Sequence, residues 1–199
     1  EENGKPRKRF NTVVPFKSDA LFCIRDYEQG IDTIQRLPSL NAQMDIVPLE
    51  EEGRSDVVIK VEKKKPINFS VGYDNEGSPT YGQRSYNMGV TFDDLAGLYD
   101  MLHMSYHTNE HLYKDRYSKT FSVLYSVPFG KHLWSVSYSD SRFLTLTQGQ
   151  VQAIKFEGGT QSVSLDWDYV VQRSRTSKTQ VGLELNHKRI RNEIQGMRQ

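Results

Sequence analysis

From Pro66 to Asn192 large apolar residues alternate with small polar ones, in successive short runs separated by polar connections. In Phe69-Ser70-Val71-Gly72-Tyr73 the odd positions are large and the even ones small. The pattern returns in Tyr86 to Phe92, in Phe121, Val123, Tyr125, Val127, and in Trp134, Val136, Tyr138 between serines. Val163, Leu165, Trp167, Tyr169, Val171 and then Val181, Leu183, Leu185 repeat it. A period of two is the period of a β-strand, whose side chains point to opposite faces in turn. Each run therefore has one apolar face and one wet face. Two architectures accept such strands. A soluble sandwich buries the apolar faces against each other, whereas a transmembrane barrel turns them out to lipid around a polar interior.

Composition narrows the classes without choosing between those two. The chain has 199 residues, of which 36% are hydrophobic, and it holds no run of about 18 apolar residues, so it has no candidate transmembrane helix. A barrel escapes that test, since only every second strand residue meets lipid. Eleven Tyr and nine Phe suit the aromatic girdles of a membrane barrel. A net charge of +1 gives no global signal for nucleic acid. The basic run Lys5-Pro6-Arg7-Lys8-Arg9 reads as a solvated connector rather than a nucleic-acid contact. A lone cysteine, Cys23, excludes an internal disulfide framework. Glu1 to Phe16 has charge but no apolar h-region, so a signal peptide is expected upstream if the protein is exported.

Residues 1–65 have a different grain. Ile24, Tyr27, Ile31 and Ile34 fall three and four apart and form the stripe of a helix over Arg25 to Leu37, closed by Leu37-Pro38. Arg25, Asp26, Glu28, Gln29, Asp32 and Gln35 are expected to face away from that stripe. Two strands follow, at Ala42 to Val47 and Asp56 to Glu62, joined by the charged loop Pro48 to Arg54. Helix, strand, strand makes part of a small α+β module with too little apolar surface to fold well alone.

Seven strands are predicted beyond it: Ile67–Asn75, Ser85–Asp93, Leu98–Thr108, Tyr117–Pro128, His132–Arg142, Val151–Arg173 and Lys178–Asn192. Short connections at Asp93–Gly97, Pro128–His132 and Arg173–Lys178 alternate with longer ones at Glu76–Arg84, Thr108–Arg116 and Arg142–Gln152. Short turns on one side and long loops on the other are the habit of outer-membrane barrels. The sixth strand is long enough to project beyond a membrane, and Gly158-Gly159 suggests a bulge within it.

Catalytic chemistry finds no footing. His103 and His107 share a strand face, but two histidines with no nearby carboxylate rarely complete a metal site. Asp166 and Asp168 sit among Ser162 and Ser164, where a solvated polar wall accounts for them without general acid–base work. No nucleophile elbow, phosphate loop or zinc-protease motif occurs, so no catalytic residue, metal ligand or cofactor is assigned.

Five segments carry a resemblance to a known family. Ile24-Arg25-Asp26-Tyr27-Glu28-Gln29-Gly30-Ile31-Asp32 with Gln35-Arg36-Leu37-Pro38-Ser39 resembles the helix of the second POTRA domain in two-partner-secretion transporters. This is the haemolysin-activator and filamentous-haemagglutinin-transporter family, also called TpsB. Pro48, Gly53 and Ser55 to Ile59 match its next hairpin, and Gly72 to Gly77 is similar to the end of its first barrel strand. Phe92 to Asp100 resembles a family turn, and Tyr125-Ser126-Val127-Pro128-Phe129-Gly130 a further strand end. Cys23 stands where the family usually has an Asn cap. The resemblance implies a mainly β chain: the C-terminal half of a POTRA (α+β) domain over residues 1–65, then about the first seven antiparallel strands of a 16-stranded outer-membrane β-barrel over 66–199. It also implies a segment of a longer transporter, in the bacterial outer membrane with its POTRA part in the periplasm. Such a transporter secretes a large exoprotein (a haemolysin, adhesin or contact-dependent toxin), recognised through the exoprotein's N-terminal secretion domain, without nucleotide hydrolysis. Outer-membrane lipid is its other partner, and nucleic acid is not one.

Three surfaces are candidates for that work. The first is the helix and following strand, with Arg25, Asp26, Glu28, Gln29, Arg36, Asn41 and Gln43; these residues either dock an extended partner or fix the POTRA fold and its contact with the barrel. The second is a basic hinge at the periplasmic mouth, Lys63, Lys64 and Lys65. The third is the polar strand face itself. Two other functions fit parts of the sequence: a POTRA-plus-barrel protein that inserts other barrels, and a soluble β-rich binding domain.

Overall fold

The computed structural model describes residues 10–13, 23–48, 55–75, 77, 80–109, 116–148, 153–174, 176–194 and 197–198. A short helix α1 (Phe10–Val13) and the helix α2 (Ile24–Gln35) precede a hairpin of β1 (Leu40–Pro48) and β2 (Ser55–Lys63). Then come β3 (Ile67–Asp74), β4 (Ser85–Asp93), β5 (Met101–Asn109), β6 (Tyr117–Phe129), β7 (His132–Gln148), β8 (Ala153–Arg173), β9 (Lys178–Ile194) and the two-residue β10 (Met197–Arg198). Among the described residues β3 to β10 form one antiparallel sheet in strict sequence order, each strand beside its predecessor. The fold is mainly β, as expected.

Register turns the alternation into two continuous faces. Phe69, Val90, Met104, Val123, Tyr138 and Val163 lie side by side across six strands, and Phe92, Leu102, Tyr125, Val136, Leu165 and Leu185 form a neighbouring row. The opposite face carries Ser70, Gly89, Ser105, Ser122, Ser139 and Ser162 in one row. No second layer covers the apolar face among the described residues: Phe69 is 79% and Val71 80% exposed. The soluble alternative needs those faces packed together, an arrangement not seen among the described residues.

The buried core sits elsewhere. Val13, Ile34, Leu37, Leu40 and Ala42 of the N-terminal unit close around Tyr99, which comes from the connection between β4 and β5. The sheet thus inserts one of its own turns into the core of its neighbour. Tyr99 holds a φ of 58°, a left-handed conformation that a bulky residue adopts only when surroundings enforce it. Its burial supplies that enforcement.

Several boundaries depart from expectation. The helix spans 24–35, and its buried face is Gln29, Gly30, Thr33 and Ile34, while Ile24 is exposed. Thr33 Oγ1 donates to the Gln29 carbonyl, and contact with the sheet draws these polar residues inward. β5 starts at Met101, because 98–100 are taken up by the turn. β7 continues to Gln148, absorbing much of the loop expected after Arg142. The asymmetry between the two ends is therefore carried by strand length, with β8 reaching 21 residues, more than by loop length. The register shift lies between Val170 and Gln172, not at Gly158-Gly159. Gly158 is needed for room: a Cβ there would stand 2.6 Å from the Phe143 ring. The basic run 5–9 and loop 49–54 lie outside the described residues.

Candidate functional site

The N-terminal unit meets the sheet at one end, near the connections 94–100 and 130–131 and the end of β8. Arg36, just past α2, points its guanidinium into that junction. It donates to Ser126 Oγ at 2.6 Å and to the Tyr99 carbonyl at 2.9 Å. Burial pushes its pKa down, and the nearby Asp100 and Asp93 carboxylates pull it back up. Both acids have structural work. Asp93 accepts from the Ser39 amide at 2.9 Å, and the fully buried Asp100 accepts from the Ala96 amide at 3.0 Å. Asp94 accepts from the Tyr99 amide at 3.1 Å. Seven residues without regular structure are held in shape by carboxylates satisfying their free amides.

A second set of contacts runs along α2. Lys131, in the turn between β6 and β7, bridges to Asp26 at 2.9 Å, and that hydrogen bond raises the lysine's pKa. Arg173, at the end of β8, donates to Asp32 and, at 3.2 Å, to Gln29, and lies 3.7 Å from Glu28. Arg25 pairs with Glu28 at 2.9 Å. The Gly130 amide donates to the Thr12 carbonyl at 2.6 Å. Between α2 and the sheet remains a cleft of about 400 Å³, bordered by Thr33, Arg36, Pro128, Lys131, Asp168 and Gln180. Pro128 and Asp168 belong to the polar face, so the N-terminal unit stands over the mouth of that face.

The structure thus separates the residues singled out in the sequence. Asp26, Glu28, Gln29 and Arg36 engage the sheet, and Arg25 engages them. Asn41 is half-buried and Gln43 exposed on β1. Lys63 lies 3.9 Å from Asp94, and the Lys64 amide donates to the Ser39 carbonyl, so the basic segment is anchored at both positions; Lys65 is exposed. Tyr99, Asp100, Lys131 and Arg173 were not singled out. The bracket of Asp93-Asp94 and Asp100 around Gly97 was the readable signal for a carboxylate-built turn; nothing local marks Lys131 or Arg173.

Several groups of the polar face are paired across strands. Ser105 bonds Ser122 at 2.7 Å, Thr120 bonds Ser141 at 3.0 Å, and Ser137 bonds Ser164 at 2.7 Å. His103 meets Thr91 at 2.9 Å and His107 meets Asn87 at 2.6 Å. Ser164 donates to Asp166 at 3.2 Å. Hydroxyls paired in this way have part of their hydrogen-bonding capacity satisfied within the sheet.

Residues 53–198 match the family model described as haemolysin secretion/activation protein ShlB/FhaC/HecB, and residues 1–48 match a POTRA domain. Hemolysin transporter protein HpmB of Proteus mirabilis is 27% identical over 165 residues, covering 83% of this chain and 29% of that protein. Hemolysin transporter protein ShlB of Serratia marcescens is 28% identical over 175 residues, covering 88% and 31%. Outer membrane transporter CdiB of Escherichia coli is 28% identical over 187 residues, covering 94% and 32%. The chain spans about a third of the length of these relatives. The solved structure of CdiB from Escherichia coli superposes with a TM-score of 0.91 at 27% identity, covering 98% of this chain and 36% of that one. CdiB from Acinetobacter baumannii, at 0.82 and 21% identity, shares the fold.

Proposed function

The chain belongs to the haemolysin secretion/activation protein family ShlB/FhaC/HecB, and on that premise we propose that it is part of an outer-membrane transporter that secretes a large partner exoprotein, a haemolysin, adhesin or contact-dependent toxin, without nucleotide hydrolysis. In this reading residues 1–65 close the second POTRA domain in the periplasm, and 66–199 begin the barrel. The apolar face meets lipid and the polar face lines the path. The observation that carries the proposal is the placement of the N-terminal unit over the mouth of a polar wall whose serines are in part paired with one another. An extended chain released there would meet water and paired hydroxyls, and slide without being held.

Recognition of the exoprotein's N-terminal secretion domain falls to the α2–β1 surface. Asp26, Glu28, Gln29 and Arg36 set the angle between POTRA and barrel through their contacts. Arg25, Asn41 and Gln43 are left to face the partner, with Lys63, Lys64 and Lys65 at the rim of the mouth. Deleting the gene that encodes this sequence should remove one large protein from the culture medium, and complementation should restore it. An unchanged set of secreted proteins, in a strain whose parent carries the barrel in its outer membrane, would overturn the proposal.

A further inference from the structure

The apolar face ends in a cationic row at the end of the sheet away from the N-terminal unit. Register aligns Lys119 of β6, Arg142 of β7, Gly159 of β8 and Arg191 of β9 side by side. All four lie on the apolar face, because Tyr138, Val163 and their row-mates share its parity. Gly159 interrupts the row of side chains and leaves a notch of about 330 Å³ between Arg142 and Arg191, with Arg189 below it. Three carboxylates border the notch, and two are engaged: Asp140 with Arg142 at 2.7 Å and Glu157 with Lys155 at 3.1 Å. Glu193 is the third. Among the described residues Lys119, Arg189 and Arg191 form no ion pair; Lys119 lies over the Tyr117 ring at 5.2 Å.

Height fixes what these cations face. At the other end of the apolar face His132, Trp134, Trp167 and Tyr169 form an aromatic girdle, His132 stacked on Trp167 and Tyr169 and Trp134 tilted against Trp167, with Trp167 donating to His132 at 3.0 Å. From Tyr169 to Gly159 an extended strand rises about 33 Å, or about 23–25 Å along the normal once tilted by about 40–45°. That is the height of a barrel's apolar band, about 25 Å. The row of the notch also holds Tyr73 and Tyr86, whose rings lie 5.3 Å apart, so it sits in the second girdle. Guanidinium groups at that level, flanking a gap, match phosphate oxygens in charge and in fork geometry.

We propose that the Gly159 notch, with Lys119, Arg142, Arg189 and Arg191, binds the phosphates of a phosphorylated glycolipid headgroup in the outer leaflet. The assignment rests on the membrane orientation argued under the proposed function. The intact chain is refolded into phosphatidylethanolamine vesicles containing either diphosphorylated lipid A or its dephosphorylated form, and bound lipid is measured after flotation. The expected result is about tenfold tighter binding of the phosphorylated lipid, lost in a Lys119→Gln/Arg191→Gln variant and kept in Lys60→Gln, which removes an exposed charge on β2 outside the notch. Both variants should float and retain their strand signal in circular dichroism, since these side chains lie on the surface. Excess inorganic phosphate should leave binding unchanged; competition by it would reduce the site to one for a free anion and overturn the headgroup assignment. Equal binding of the two lipids, or a preference kept by the glutamine variant, overturns the site alone. Failure of the chain to float with any vesicle overturns the membrane reading beneath it as well.

Discussion

Arg36 shows how one side chain holds two units together. Its two outer nitrogens reach Ser126 on one strand and the Tyr99 carbonyl on a turn, with Asp93 and Asp100 close by. Arg36→Ala is expected to cost about 2–3 kcal/mol, the worth of hydrogen bonds from a charged donor, read as a lower urea midpoint. Arg36→Lys should fall between, because an ammonium carries the charge but not the fork. Lys131 adds a pH dependence. Its folded pKa is raised above the usual 10.5 by the bond to Asp26, so its contribution is whole below 10.5 and lost as pH climbs through the folded value. Proteolysis of α2 should accelerate above that point in the parent chain. In Lys131→Met the rate should already be higher at neutral pH and show no such step; a step of the same size in the variant would remove Lys131 as its source.

At the scale of elements the turn between β4 and β5 decides most. It is shaped by Asp94 and Asp100 and places Tyr99 in the neighbouring core. Tyr99→Ala should cost about 3–5 kcal/mol, the usual range for truncating a buried aromatic, and should expose α2 to protease before the sheet melts. Loss of sheet and helix in one step would argue against a separable junction. The helix itself was legible from the spacing of Ile24, Tyr27, Ile31 and Ile34, but its orientation was not. Gln29 and Thr33 are buried, with Arg173, far along the chain, donating to the side-chain Oε1 of Gln29 and Thr33 Oγ1 donating to the Gln29 backbone carbonyl. Helical periodicity weighs a residue by its own polarity, and cannot see a partner that arrives only on folding. The strands were read well because period two survives any register. Their ends were not, since β7 runs on through Thr145 and Thr147 with no breaker to stop it.

Across the whole molecule the two faces of the sheet should respond oppositely to charge. Val136 lies on the apolar face midway between the girdles, and Ser137 lies on the polar face beside it. Val136→Arg should cost about 2–4 kcal/mol in a bilayer, as arginine does at the midplane of a barrel, while Ser137→Arg should be close to neutral. Refolding yield into vesicles, followed by gel mobility with and without heating, separates the two; equal loss would mean that neither face meets lipid. Among the described residues β3 has no partner on its outer edge, and an open edge recruits other strands. In detergent the isolated chain is therefore expected to cross-link into dimers or larger species, whereas an undiminished monomer band would show that edge to be protected.

Strand class, the two faces and the helix followed from the sequence alone, because alternation and helical spacing are local properties written in adjacent residues. The family resemblance was legible for the same reason, being carried by short segments in order. Tertiary structure alone decided that Asp26, Glu28 and Asp32 of α2 serve the junction, that Tyr99 belongs to another unit's core, and that Lys119, Arg142 and Arg191 share a row. The first two depend on contacts between elements far apart in the chain, and the third on strand register, which is set by packing over the whole sheet rather than by any single strand.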